Sequence, residues 1–275
     1  MNRIHPSRRV VPLLIALALA GCDAGDSTGL EPEPDGDNGS GELPATGNLR
    51  FTIKHVVSDG AGSTTPLAAN GTTQYQTAYG NTFSVSRLRY YIARSGLQVE
   101  STKVDFEITH LVDTDDPSTL RFYALDVPAD HYHDIVFTIG LPESENITGA
   151  LTGTEHDAMA WPAGLGGGYY YMKLEGTVWD GVNQPHAFLT GTGRVDTGGN
   201  PQPHAVGVLL SPHFNVIPGK TVDVELIMDV SEWYRGPNVI DLETHVGGID
   251  SDDAMQAQMA ANGADVFVLG VIKTL

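Results

Sequence analysis

The chain has 275 residues, and 15 Lys+Arg against 34 Asp+Glu give it a formal net charge of −19. Nucleic acid is bound chiefly through cationic side chains, so this balance argues against nucleic acid as a partner and against a polybasic grip on a membrane surface. A single cysteine, Cys22, excludes an intrachain disulfide, a zinc site of the cysteine type and a blue-copper centre, which needs a thiolate.

Arg3, Arg8 and Arg9 precede an apolar run over 10–20 that ends in Leu19-Ala20-Gly21-Cys22. A basic start, a short apolar run and a small-residue cleavage site make residues 1–21 a secretory signal, too short to span a bilayer as a mature helix. The cysteine directly after Leu-Ala-Gly makes it similar to a bacterial lipoprotein signal, in which the thiol is lipidated and becomes the first mature residue. A free thiol or an intermolecular disulfide is the alternative for Cys22. Residues 22–47 hold almost no large apolar side chain. Such a segment cannot bury enough surface to offset its ordering entropy, and it reads as a disordered acidic tether.

Residues 48–275 are long enough for one domain with a sizeable core. Alternation begins at Arg50-Phe-Thr-Ile-Lys-His55-Val. A helical turn is expected over 84–88, followed by a strand carrying Tyr90, Tyr91 and Ile92. Further β-patterned runs cover 104–112, 121–127, 132–140, 169–178, 187–195, 205–210, 221–230 and 265–272. Short strands at this spacing with few helices between them predict an all-β fold, an antiparallel β-sandwich with one short C-terminal helix. That helix is expected to be capped by Ser251, to bury Met255 and Met259 on one face, and to stop at a left-handed Gly263 after Asn262.

The stretch His156 to Gly176 gathers an imidazole, two thioethers (Met159, Met172), an indole (Trp161) and three phenols (Tyr169, Tyr170, Tyr171). Its first half is a loop closed by Pro162 and a glycine run, and its second half alternates as a strand. Core and rim aromatics of a β protein give the same composition. Ten histidines stand in the chain, one of them in the signal segment. His131-x-His133 places two imidazoles on one face of a strand, a spacing that suits either a metal or a solvated edge between Asp130 and Asp134. His213, after Ser-Pro, reads as a turn residue and His245 as a loop residue. No P-loop, nucleophile elbow or His-Glu-x-x-His motif is present.

Seven separated pieces together resemble the MbnP-like family, the periplasmic copper-binding proteins of methanobactin operons. They are Phe51-x-x-x-His55-Val, Val85-Ser-Arg-Leu-Arg-Tyr90-Tyr91-Ile92, His110-Leu-Val-Asp113 and Tyr132-x-x-Ile135-x-Phe137-x-Ile139-Gly140, then Met159-Ala-Trp161, Gly168-Tyr-x-Tyr171-Met-Lys-Leu-Glu175-Gly176 and Asn262-Gly-Ala-Asp-Val-Phe267. The resemblance implies a β-rich envelope domain that binds one copper ion. It implies His55, His110 and His156 as ligands; ligand chemistry adds Met159 as a soft thioether donor for copper(I) and Asp113 or Asp157 as a carboxylate that orients an imidazole. It further implies Trp161 as an indole oxidised to kynurenine by a partner dihaem enzyme similar to MauG. After the Lys-Leu-Glu-Gly strand the family often has a His-x-Gly segment. This chain has His186-Ala-Phe-Leu-Thr190-Gly191 instead, so either His186 or His204 substitutes as a ligand or this member has lost one.

The expected function is therefore copper acquisition, storage or delivery by a lipid-anchored protein that turns over no substrate itself. The rival is an adhesion or carbohydrate-binding lipoprotein in which the aromatics stack on ligand and the histidines are incidental. A hydrolase with a scattered triad is the third reading.

Overall fold

The period-two alternation of apolar residues is the pattern of strands with one buried face, and the computed structural model forms strands from most of it. The structure describes residues 45–99, 102–179, 185–196, 198 and 200–275; the expected signal, Cys22 and the tether through residue 44 lie outside the described residues. In chain order come β1 (Thr46–Ser58), β2 (Thr64–Pro66), β3 (Tyr75–Gln76), β4 (Thr82–Val99), β5 (Thr102–Asp105), β6 (Thr109–Asp113) and β7 (Arg121–Pro128). Next are β8 (His131–Tyr132), β9 (Asp134–Ile139), the one-turn helix α1 (Thr154–Asp157), β10 (Met172–Trp179), β11 (Pro185–Thr192) and β12 (Arg194–Asp196). The chain closes with β13 (Pro201–Pro203), β14 (Val206–Leu210), β15 (Phe214–Asn215), β16 (Thr221–Asp229), α2 (Asp253–Asn262) and β17 (Phe267–Thr274).

Two sheets face each other, as expected of a β-sandwich. One has the order β17-β16-β1-β2 with β7 also on β1; the other runs β11-β10-β4-β9-β14 with β3, β5 and β6 also on β4. Their inner faces share one apolar core, in which Leu49, Phe51 and Ile53 of β1 meet Leu88, Tyr90 and Ile92 of β4 and Ile135, Phe137 and Ile139 of β9. Phe51 stacks on Phe122 of β7 with ring centroids 4.7 Å apart. Burial of each such side chain stabilises the fold by about 1.5–3 kcal/mol.

Several local expectations change. The β1–β16 ladder is parallel, from Asn48 opposite Thr221 to Val56 opposite Asp229, within otherwise antiparallel sheets. On its outer face the directly opposed Arg50 and Asp223 form a two-point contact at 2.9 and 2.8 Å, which holds the Asp223 carboxyl below the usual carboxylate range. β1 starts at Thr46, so residues 46 and 47 belong to the sheet and not to the tether. No helical turn forms over 84–88, because pairing with β10 keeps that stretch extended inside β4. Asp252, not Ser251, caps α2, its side chain accepting from the Met255 amide. Gly263 is right-handed, at φ −66°, and the chain continues into a 3-10 turn over Gly263–Asp265. Its missing side chain matters for space: a Cβ would lie 2.6 Å from the ring of buried Trp233. Met255 and Met259 are buried as expected.

Glycine also sets the approach of β4 to β10. A Cβ on Gly176 would lie 1.9 Å from the Ser84 carbonyl oxygen and 2.8 Å from the Phe188 ring. Gly207 in β14 has nothing within 4 Å. Gly176→Ala should therefore cost about 1–3 kcal/mol in urea unfolding, whereas Gly207→Ala should be neutral or stabilise by up to about 1 kcal/mol. Equal midpoints for the two variants would contradict this packing.

Candidate metal centre

Residues 141–171 fold over the outer face of the β4 sheet and close a second apolar cluster. It joins Tyr91 and Leu111 of the sheet to Met159, Trp161 and the three tyrosines 169–171. Gly166, Gly167 and Gly168, at φ 108°, 66° and 87°, turn the chain back in a conformation open chiefly to glycine. The Trp161 amide then donates to the Gly168 carbonyl at 2.9 Å. The indole is 3% exposed, donates from Nε1 to the Leu165 carbonyl at 3.1 Å, and meets Tyr170 edge-on with centroids 4.6 Å apart. The Tyr170 hydroxyl donates in turn to Asp250, and burial with that carboxylate pushes the phenol well up. Gly193 makes the ring's seat, since a Cβ there would lie 2.5 Å from it.

The residues expected as ligands are not brought to one point. Adjacent residues of a strand face opposite ways, and Tyr90 lies in the inner core while Tyr91 lies in the outer cluster. Half-buried His55 follows Leu49, Phe51 and Ile53 on the inner face of β1 and shares a 3.0 Å hydrogen bond with Tyr90. His156 in α1 stacks on Tyr91 and holds its hydroxyl at 2.8 Å through Nδ1. A β-sheet thus separates these two imidazoles. His110 on β6 donates from Nε2 to the Thr119 carbonyl at 2.6 Å and leans on Phe122, and burial lowers its pKa. His186 is exposed on β11, and His204 donates to Asp253 at 2.7 Å. Met159 is fully buried, so its thioether reaches no exposed ion without the 141–171 cover opening. Asp113 holds Arg87 at 3.0 and 2.5 Å rather than an imidazole. Thr190, near the place of the family's histidine, shares a 2.8 Å hydrogen bond with Tyr234.

Among the described residues, the group of three or more His, Cys, Asp or Glu able to surround an ion is His131, His133 and His213, with one ligand atom from each lying within 4.8 Å of the others. The ring centroids are 5.1, 6.0 and 4.8 Å apart. Tyr132, between the first two, is buried with its hydroxyl on the Pro128 carbonyl, and burial pushes that phenol up to about 12. The alternation around it sends His131 and His133 the other way, outward together. The short β8–β15 ladder, with Phe214 opposite Tyr132 and Asn215 opposite His131, delivers His213 to them. The first pair was legible as a two-imidazole strand face and His213 as a turn. Their meeting across some 80 residues carried no local signal.

The family model described as MbnP matches residues 46–256. The chain belongs to the MbnP family of methanobactin-associated proteins. Among solved structures, MbnP from Methylosinus trichosporium aligns at 12% identity and a TM-score of 0.47, covering 82% of this chain and 98% of that one. No curated protein sequence gives a significant match. For copper, which the family implies, the donor set is the test in this member. Three imidazoles suit it in either oxidation state. The residues expected from the resemblance, divided by a sheet, do not form a single site.

Neutral His55 leaves a pH signature in the metal-free protein. Burial lowers its pKa from 6.5 to about 4. Between those values the unfolded chain binds more protons than the folded one, so stability is intact above pH 6.5 and falls as the pH drops toward 4. The loss from this group is about 3 kcal/mol at most. Urea unfolding at pH 7, 5.5 and 4 should show a steeper loss for wild type than for His55→Gln. Parallel curves would contradict it.

Proposed function

We propose that this MbnP-family chain is a copper-binding lipoprotein of the bacterial cell envelope, anchored through Cys22 and serving copper acquisition, storage or delivery. The observation that carries the reading is the family match over residues 46–256. The accessible imidazole cluster supports it, because histidine donors hold copper without a thiolate, and the described residues contain no cysteine. The signal-like N-terminus supports export. Among the described residues no helix is long and apolar enough to cross a membrane. The lipoprotein-like run ending at Cys22 supports a lipid there as the attachment. The protein would exchange metal by ligand substitution rather than turn over a substrate.

Trp161 is the candidate for oxidation to kynurenine by a MauG-like dihaem partner. Its indole is buried at 3% exposure, so such a partner would draw electrons from it across the intervening protein rather than touch it.

A second reading has one observation in its favour. A cleft of about 440 Å³ beside β1 is lined by hydroxyls, amides, one phenol, the Asp59 carboxylate and Val57, with Ser63, Thr65, Gln74, Tyr75 and Gln76 among the polar groups. Hydroxyls, amides, a carboxylate and a phenol are groups that hydrogen-bond and stack on a glycan.

Metal analysis and intact mass of the protein purified from its native host decide between the two readings. Copper near one equivalent is expected, with a mass gain mapping to Trp161. A copper-free protein of unmodified mass that refuses added copper and binds a glycan at Tyr75 would replace the first reading with the second.

A further inference from the structure

We propose that His131, His133 and His213 form the metal site of this protein, an exposed three-imidazole centre that takes copper, in place of the residues the family resemblance implies. The proposal rests on the copper reading above and adds to it where the ion sits.

The three side chains come from two segments that the backbone holds in register, His131 and His133 from the first and His213 from the turn before β15. His131 lies in β8 opposite Asn215 of β15, and the His133 amide donates to the Gln98 carbonyl of β4 at 2.9 Å. Asp130 accepts from the His131 amide at 2.7 Å, and Asp134 accepts from Ser211 at 2.5 Å, fastening the two loops beside the cluster. His213 itself sits at φ 48°, a left-handed conformation uncommon for a residue with a side chain. That geometry belongs to the turn that sets its ring 4.8 Å from the His133 ring.

One tautomer is already set for metal. Nδ1 of His131 lies 2.9 Å from Oδ1 of Asn215, and an amide oxygen only accepts, so Nδ1 carries the proton. Nε2 of the neutral ring then presents its lone pair, the arrangement in which an outer hydrogen bond fixes a ligating imidazole. Asn215 is thereby a positioning residue.

Reach is the remaining condition. Metal–imidazole bonds of about 2.0–2.1 Å place two donors about 3.3 Å apart in a tetrahedral site and about 4.2 Å apart at the linear limit. The present spread of up to 4.8 Å must close by roughly an ångström. His131 and His213 are both exposed, so side-chain rotation alone supplies that movement without unpacking the core. A group of three imidazoles with no carboxylate among its donors disfavours calcium and magnesium, which require oxygen ligands. It suits copper and, less tightly, zinc. Three protein donors at an exposed site leave a position open for an incoming ligand from a delivery or acceptor partner.

The test uses the full-length protein titrated with copper(I) under reductant, and separately with copper(II) and zinc(II). Two double variants are compared, His131→Ala/His213→Ala and His55→Ala/His156→Ala, with the thermal midpoint of each metal-free protein as a check on folding. The first variant should keep the metal-free midpoint and lose copper affinity by at least about 100-fold, since removing an outer-shell partner alone costs about 10–100-fold. The second should bind copper as wild type does. Copper should raise the midpoint of the wild type, by linking two segments distant in the chain, and not that of the first variant. Copper retained by the first variant and lost by the second would overturn this site and leave the copper reading standing. Zinc binding without copper binding, abolished in the first variant, would overturn copper as the metal and thus the reading it rests on. Wild-type protein that takes none of the three ions would overturn both.

Discussion

The pleat of β4 sets the side of the molecule on which each candidate group lies. This strand runs from Thr82 to Val99 and pairs with β3, β5, β6, β9 and β10. Its register cannot slip by one residue without moving every side chain to the other face. Tyr90 therefore points into the sandwich toward His55, and Tyr91 points out toward His156 and the cover that encloses Trp161. One molecule thus holds two aromatic environments back to back, and both are largely dry. The three-imidazole cluster stands apart from them, where the short β8–β15 ladder meets the surface.

This partition explains what the amino-acid sequence discloses and what it withholds. The strands were legible because alternation is local: Met172, Leu174, Gly176 and Val178 of β10 are buried in turn, as their spacing predicts. The burial of Met255 and Met259 on one face of α2 was equally local. Pairing is not. The parallel β1–β16 ladder joins segments more than 160 residues apart, and neither strand carries a mark of its direction. Asn262-Gly263 has the composition of a left-handed stop, yet the glycine serves the Trp233 ring that it lies beneath. Tertiary packing overrides the turn preference there.

The same limit applies to the site. The loop and strand from His156 to Gly176 drew notice through their density of soft and aromatic groups, and they form a packed cover whose thioether and indole are enclosed. The modest pair His131-x-His133 gains its chemical interest only from His213, which a chain turn after Pro212 brings alongside. On the proposed reading, affinity would come from donors that need little desolvation, and exchange from their exposure. The strongly acidic charge of the chain, −19 in all, favours cation approach and a basic partner surface.

The most direct test of this account is crystallographic. Crystals of the copper-loaded protein measured on either side of the copper absorption edge would place the ion without reference to any variant. The account predicts an anomalous peak between the imidazoles of His131, His133 and His213. A peak beside His156 and Trp161, or within the sandwich at His55, would contradict it.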